Sequence, residues 1–225
     1  MRTLSTIGFS VAALLLPVAG FADATVSHQF QTSSPAEGVL RISIEIPVAE
    51  IEIVNGDAAT ISVSGTASRE VHDEGDRVRL QEIVDDTAVR INRRGSRMTI
   101  VPAHGPAASS RWARNNRTEL TVRITIPRHV NLEVHQKVGD LSVSGEYANM
   151  DLNLRVGNVT VTAPRQQIRE VNAGARVGKT ITNIGDRIVT KEGLFAGRMQ
   201  FFNEGGKATL RVTVEVGEIR LDLSH

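Results

Sequence analysis

One phrase recurs along this chain: a valine or alanine, a glycine, and a short alternating strand. It reads Val138-Gly139-Asp140-Leu141-Ser142-Val143, then Val156-Gly157-Asn158-Val159-Thr160-Val161. It returns at Val177-Gly178-Lys179-Thr180-Ile181-Thr182, Ala196-Gly197-Arg198-Met199-Gln200-Phe201 and Val216-Gly217-Glu218-Ile219-Arg220-Leu221. Successive glycines are 18, 21, 19 and 20 residues apart. A period near twenty residues is too short for a helix between parallel strands, and a fixed period marks stacked units that bury their apolar faces against neighbours. The expected fold is therefore all-β. A β-solenoid of roughly 20-residue repeats accounts for the near-constant period, and an antiparallel β-sandwich is the alternative.

Most repeats carry alternation on both sides of the glycine. Leu152 and Leu154 precede Gly157, and Val159 and Val161 follow it. Leu141, Val143, Ile219 and Leu221 hold the same positions, so these eight side chains are expected to face the core. Thr180 and Thr182 break the rule, which predicts a bulge or register slip near Gly178.

Ahead of the regular repeats, assigned to residues 119–223, lies a less regular block over about 39–101. Leu40, Ile42, Ile44 and Ile46 alternate up to Pro47, as Leu120, Val122, Ile124 and Ile126 do up to Pro127. Ser62-Val63-Ser64-Gly65 reappears as Ser142-Val143-Ser144-Gly145. Val78 and Leu80 read as a short strand, residues 66–76 as a polar loop and 25–38 as a loosely held lead-in. No helical stripe is expected in the mature chain. Residues 102–118 carry no periodicity and form a long loop, a kind of segment that is often functional.

The N-terminal stretch differs in kind. Arg2 precedes an apolar run from Ile7 to Val18, followed by Ala22-Asp23-Ala24. This is the pattern of a secretory signal peptide over 1–24, too short in its apolar core to span a bilayer. Residues 25–225 then form a single exported β-strand-repeat domain, periplasmic or extracellular, with no transmembrane segment after signal removal. The chain has no cysteine, so lipid acylation, disulfides and thiolate metal sites are excluded.

The net charge of +1 gives no general attraction to nucleic acid. Its distribution is uneven: Glu45 to Asp86 holds 11 acidic and 3 basic residues, whereas Arg90 to Arg128 holds nine arginines and one acid. Two candidate ligand-binding sets follow. The loop residues Arg111, Trp112, Arg114 and Arg117 combine guanidinium forks with the sole tryptophan, chemistry suited to anionic groups and sugar rings. Lys137, Arg155 and Arg176 stand two residues before their repeat glycines. If repeats stack in chain order they form a cationic column about 4.8 Å per step, which an anionic polymer would neutralise. The bland reading is that these side chains splay into water and pair with acids nearby.

His72-Asp73-Glu74-Gly75-Asp76 lacks the ligand spacing of a calcium loop, and the histidines lack zinc spacing. No Gly-x-Ser-x-Gly elbow or phosphate-binding glycine loop occurs. The chain is accordingly read as a non-enzyme with no metal or cofactor.

The run Leu120-Thr-Val-Arg-Ile-Thr-Ile-Pro127, then Val130-Asn-Leu-Glu-Val134 and Val138-Gly-Asp-Leu-Ser-Val-Ser-Gly145, resembles a bacterial β-strand-repeat "putative adhesin" family. That family is a domain of unknown function, similar to head-domain autotransporter-like adhesins. The resemblance implies a right-handed parallel β-solenoid, exported and without enzymatic activity. The resulting expectation is a cell-envelope scaffold or adhesin-like module that binds an anionic envelope polysaccharide or a protein partner, without nucleic acid. A polysaccharide-acting enzyme and a self-assembling structural element are the competing classes. The first would need grouped carboxylates, whereas the residues after the repeat glycines are mixed: Asp140, Asn158, Lys179, Arg198 and Glu218.

Overall fold

A strand that alternates apolar and polar residues buries one face, and a glycine behind it lets the chain bend where a β-carbon would obstruct. The computed structural model describes residues 24–56, 59–105, 118–185, 187–194 and 199–223. In it four of the repeat glycines form one row of corners, with Gly139, Gly157, Gly217 and Gly178 all at positive φ. A β-carbon on Gly157 would lie 2.1 Å from the carbonyl oxygen of Gly139, and one on Gly217 would lie 1.8 Å from that of Gly157. Each corner is thus glycine because the next corner's backbone occupies the β-carbon's place.

The strands are β1 (Ala24–Pro35), β2 (Arg41–Ile44), β3 (Glu50–Asn55), β4 (Thr60–Val71), β5 (Thr87–Arg94), β6 (Arg97–His104), β7 (Glu119–Ile126) and β8 (Asn131–Val138). They continue as β9 (Leu141–Ser144), β10 (Asn149–Val156), β11 (Val159–Thr162), β12 (Ile168–Ile184), β13 (Arg187–Leu194), β14 (Met199–Phe202) and β15 (Ala208–Asp222). One helix, α1 (Arg77–Asp85), follows β4. All fifteen strands belong to a single sheet.

That sheet corrects the expected fold. It is mixed: β1 with β4, β4 with β7, β5 with β6, and β12 with both β13 and β14 pair antiparallel. Parallel pairs join β6, β2, β8, β10, β15 and β12 before the corner, and β7, β3, β9, β11, β15 and β12 after it. A parallel β-solenoid would stack its turns in chain order. Here β15 lies between β10 and β12, so the last repeat separates the second from the third. An antiparallel β-sandwich is equally excluded by the parallel rows. The path of strands begins at β1 and ends at β5, and these two come together, with α1 packed against both. Arg93 on β5 donates to the Pro35 carbonyl at the end of β1 (3.3 Å), so the sheet curls into a near-barrel.

The inward face is continuous. Leu141, Val143, Leu152, Leu154, Val159, Val161, Ile219 and Leu221 are all buried, as alternation predicts. Thr180 and Thr182 are buried too, without the expected slip: Gly178 pairs with Gly217, Thr180 with Ile219 and Thr182 with Leu221. The irregularity in this pairing lies instead between Ile168 and Glu170. Thr182 Oγ1 donates to Met199 Sδ at 2.8 Å, whereas Thr180 Oγ1 has no hydrogen-bond partner among the described residues. A buried hydroxyl without a partner is destabilising. Thr180→Val is therefore expected to stabilise the chain by about 1–3 kcal/mol, read as a higher urea midpoint with an unchanged slope.

Three further expectations are corrected. The lead-in is an ordered strand: β1 pairs with β4 along twelve residues. The polar segment after Gly65 continues β4 as far as Val71, and only then forms a short 3₁₀ turn over Glu74–Asp76. Val78 and Leu80 lie on α1, where Leu80, Ile83 and Val84 make the buried stripe and Val78 stays exposed. Asp73 prepares this turn by accepting from the Gly75 amide (2.9 Å). Thr87 closes the helix by donating to the Ile83 carbonyl (2.8 Å).

Candidate functional site

The row of corners orders everything around it. Asp140 Oδ1 accepts from the Asn158 amide (2.9 Å) and from Asn158 Nδ2 (3.1 Å), and Asn158 Oδ1 accepts from the Glu218 amide (3.1 Å). Asp140 after Gly139 and Asn158 after Gly157 thus each fasten one corner to the next. Inside the bend, the buried Gln136 amide donates to the carbonyls of Ala49 (2.6 Å) and Val138 (3.2 Å).

The residue before each glycine is a valine that remains exposed. Val48 pairs with Val138, Val138 with Val156, Val156 with Val216 and Val216 with Val177. Their exposures run from 37% to 52%. Val138, Val156, Val216 and Val177 on four adjacent strands, with Val48 on the link between β2 and β3, therefore form an apolar ridge, about 19 Å long at about 4.8 Å per step.

One position earlier stand the predicted cations. In sheet order they read Lys137, Arg155, Glu215 and Arg176. The structure brings Lys137 and Arg155 onto neighbouring strands but separates Arg155 from Arg176. Glu215 intervenes, and Arg155 Nε lies 3.2 Å from its Oε2. The cationic column expected from chain order is thus broken by the insertion of β15. Arg111, Trp112, Arg114 and Arg117 lie outside the described residues, as does the segment 1–23.

Lys137 and Arg155 line a shallow groove of about 520 Å³ on the outer wall, with Pro47, His135, Asn153 and Thr213. Two carboxylates, Glu45 and Glu215, share the groove with these cations, and Pro47 gives it an apolar side chain. Beside it, Glu133 Oε1 accepts from His135 Nε2 (3.0 Å), and Glu133 Oε2 lies 3.4 Å from Arg97 Nη2. The His135 hydrogen bond holds the Glu133 carboxyl below the usual glutamate range; partial burial opposes this, and Arg97 and Arg41 add to it. A second shallow groove of about 410 Å³ continues the same wall past Arg41, Asn131, Asp151 and Arg211.

Sequence reasoning missed a cleft of about 700 Å³ between the end of β4, α1, the start of β7 and the corner at Val48, Ala49, Val138 and Gly139. Arg69 is buried there and its Nε donates to Thr118 Oγ1 (2.6 Å). Burial lowers its pKa from the usual arginine value. A signal was present: Ile61, Val63, Ala67, Arg69 and Val71 share one parity, so Arg69 stands at an inward position of β4. Glu50, Glu70, Asp73, Asp76 and Glu119 surround it. Among the described residues no group of His, Asp and Glu side chains forms a metal-ligating cluster.

No family model matches the chain, and no curated protein matches it. Solved structures do. One from Clostridium sporogenes, described as a "putative cell adhesion protein", is similar at 15% identity and a TM-score of 0.48, covering 87% of this chain and 99% of its own. A "putative adhesin" from Parabacteroides distasonis is similar at 7% identity and a TM-score of 0.31, covering 86% and 97%. A "putative lipid binding protein" from the same organism is similar at 8% identity and a TM-score of 0.26, covering 89% and 95%. Likeness at this level assigns no family and no ligand.

Proposed function

We propose that this chain is a non-catalytic, adhesin-like binding module of the cell envelope, exported by its N-terminal segment, that holds an anionic glycan along its outer wall. The observation that carries the reading is the placement of Lys137 and Arg155 on adjacent parallel strands at the rim of the 520 Å³ groove. Two cations side by side are unfavourable alone and are relieved by a carboxylate or phosphate between them. Asn153 supplies an amide and Thr213 a hydroxyl for sugar hydroxyls, and Pro47 supplies apolar contact. Glu215 pairs with Arg155, and Glu45 is a second carboxylate at the groove.

The test is retention of the full chain on immobilised polygalacturonate and on a neutral glucan, at low and high salt. Retention on the anionic polymer is expected to fall about tenfold in a Lys137→Ala/Arg155→Ala variant, the loss of roughly 1.5 kcal/mol of charge-assisted hydrogen bonding. It is expected to weaken with salt, and the polymer is expected to keep its length on prolonged incubation. Equal retention by both proteins removes the groove from the reading, and shortening of the polymer replaces a binding module with an enzyme.

A further inference from the structure

The valine ridge belongs to no ligand groove as a whole, and its flanks differ in charge. On one side stand Pro47, Lys137, Arg155, Glu215 and Arg176; three cations and one carboxylate leave +2. On the other side, past the corner, stand Glu50, Asp140, Asn158, Glu218 and Lys179; three carboxylates and one cation leave −2. We infer that the ridge is a self-association surface, on which two copies of this chain meet valine to valine about a two-fold axis that runs along the ridge.

The charges select that axis. A two-fold along the ridge lays the basic flank of each copy over the acidic flank of the other. Lys137 then faces Asp140 of the second copy, with Glu50 one strand away. Glu215 and Arg176 face the like charges Glu218 and Lys179 directly, and their opposite partners are one strand away: Glu215 beside Lys179, Arg176 beside Glu218, and Arg155 between Asp140 and Glu218. A two-fold across the ridge would instead set basic flank against basic flank. The first arrangement is isologous and closed, so it ends at a dimer. An apolar patch bordered by polar residues is the usual mark of such a contact, and the valines gain from leaving water while the flanks fix the register.

Size sets the strength. Four strands and the Val48 link, with four corner positions each, offer about twenty residues, the low end of the 20–30 per partner in a standard interface. The dimer is therefore reversible and weakens with salt. Its consequence for binding is competition: the dimer covers Lys137 and Arg155, the cations that line the groove, so an anionic polymer and the second copy exclude one another. The inference does not need the glycan reading, since the dimer is measured without any ligand.

The experiment is sedimentation velocity of the full chain over a wide concentration range, at low and high salt. The wild type is expected to pass from monomer to dimer as concentration rises. Val156→Glu, at the centre of the ridge, is expected to remain monomeric. Lys137→Glu and Glu50→Lys are each expected to weaken the dimer at least tenfold, and the double variant Lys137→Glu/Glu50→Lys to recover most of that loss. The exposed flank substitutions keep the test open if Val156→Glu fails to fold, which thermal unfolding of each variant reports. A wild type that stays monomeric at every concentration overturns the inference. So does a double variant no better than the singles.

Discussion

Gly217→Ala is expected to destabilise the chain by about 3–5 kcal/mol or to prevent folding, a cost in the range reserved for backbone strain combined with steric overlap. Gly217 sits at φ +145°, where an L side chain is strained. Its β-carbon would also stand 1.8 Å from the Gly157 carbonyl oxygen, an atom that cannot move without shifting the neighbouring corner. The Gly157 amide is itself bonded to the Val216 carbonyl at 3.0 Å, so the two corners are clamped together. Gly95→Ala is the control. Gly95 has φ +60° but nothing within 4 Å of a new β-carbon. Only the left-handed backbone cost of about 1–2 kcal/mol applies there. Urea unfolding of both variants separates crowding from conformation, and equal midpoints would show that the stacked corner yields to a methyl group.

Leu152→Ala should cost about 2–5 kcal/mol, the usual penalty for removing a buried leucine side chain and leaving a cavity. Leu152 is fully buried on β10 and stands between Val134 and Val212. Val156 has the same parity on the same strand but is 40% exposed at the corner. Val156→Ala should change monomer stability by no more than about 0.5 kcal/mol. Parity alone would make the two substitutions alike. The difference arises because the strand leaves the core at Gly157, four residues after Asn153.

That contrast also marks how far the sequence could be read. Alternation identifies core positions by local geometry, because a strand's two faces are fixed by its own backbone. Leu141, Val143, Leu152, Leu154, Val159, Val161, Ile219 and Leu221 are legible for that reason. The glycine corners are legible as corners, because positive φ is a property of single residues. Strand order is not local. The period of about twenty residues measures chain between corners and carries no information about which corner stands beside which. The same limit undoes the cationic column: Arg155 and Arg176 follow one another along the chain, yet Glu215 stands between them in space.

Other features were hidden by composition. β1 is rich in Ser, Thr and Gln because it pairs along one side with β4 and leaves much of its surface in water. It reads as a loop although twelve residues are paired. α1 is nine residues long with three buried side chains, too short for a clear stripe, and its flanking acids resemble a solvated turn. Thr180 and Thr182 look misplaced because threonine is polar, but a β-branched side chain fits an inward strand position as valine does. Arg69 was legible in principle, as a charge at an inward position of β4.

The place of β15 governs time as well as architecture. It is the last strand described, yet it is an interior member of the parallel rows, with β10 and β11 on one side and β12 on the other. Between the end of β11 at Thr162 and the end of β15 at Asp222 the ribosome must add 60 residues (222 minus 162). At about 5–20 residues per second this takes roughly 3–12 s. During that interval β10, β11 and β12 present bare edges with no strand to fill them, and long-range pairings of this kind form slowly even once the chain is complete. The newborn chain therefore has to be kept from pairing with the wrong neighbour until its own final segment arrives.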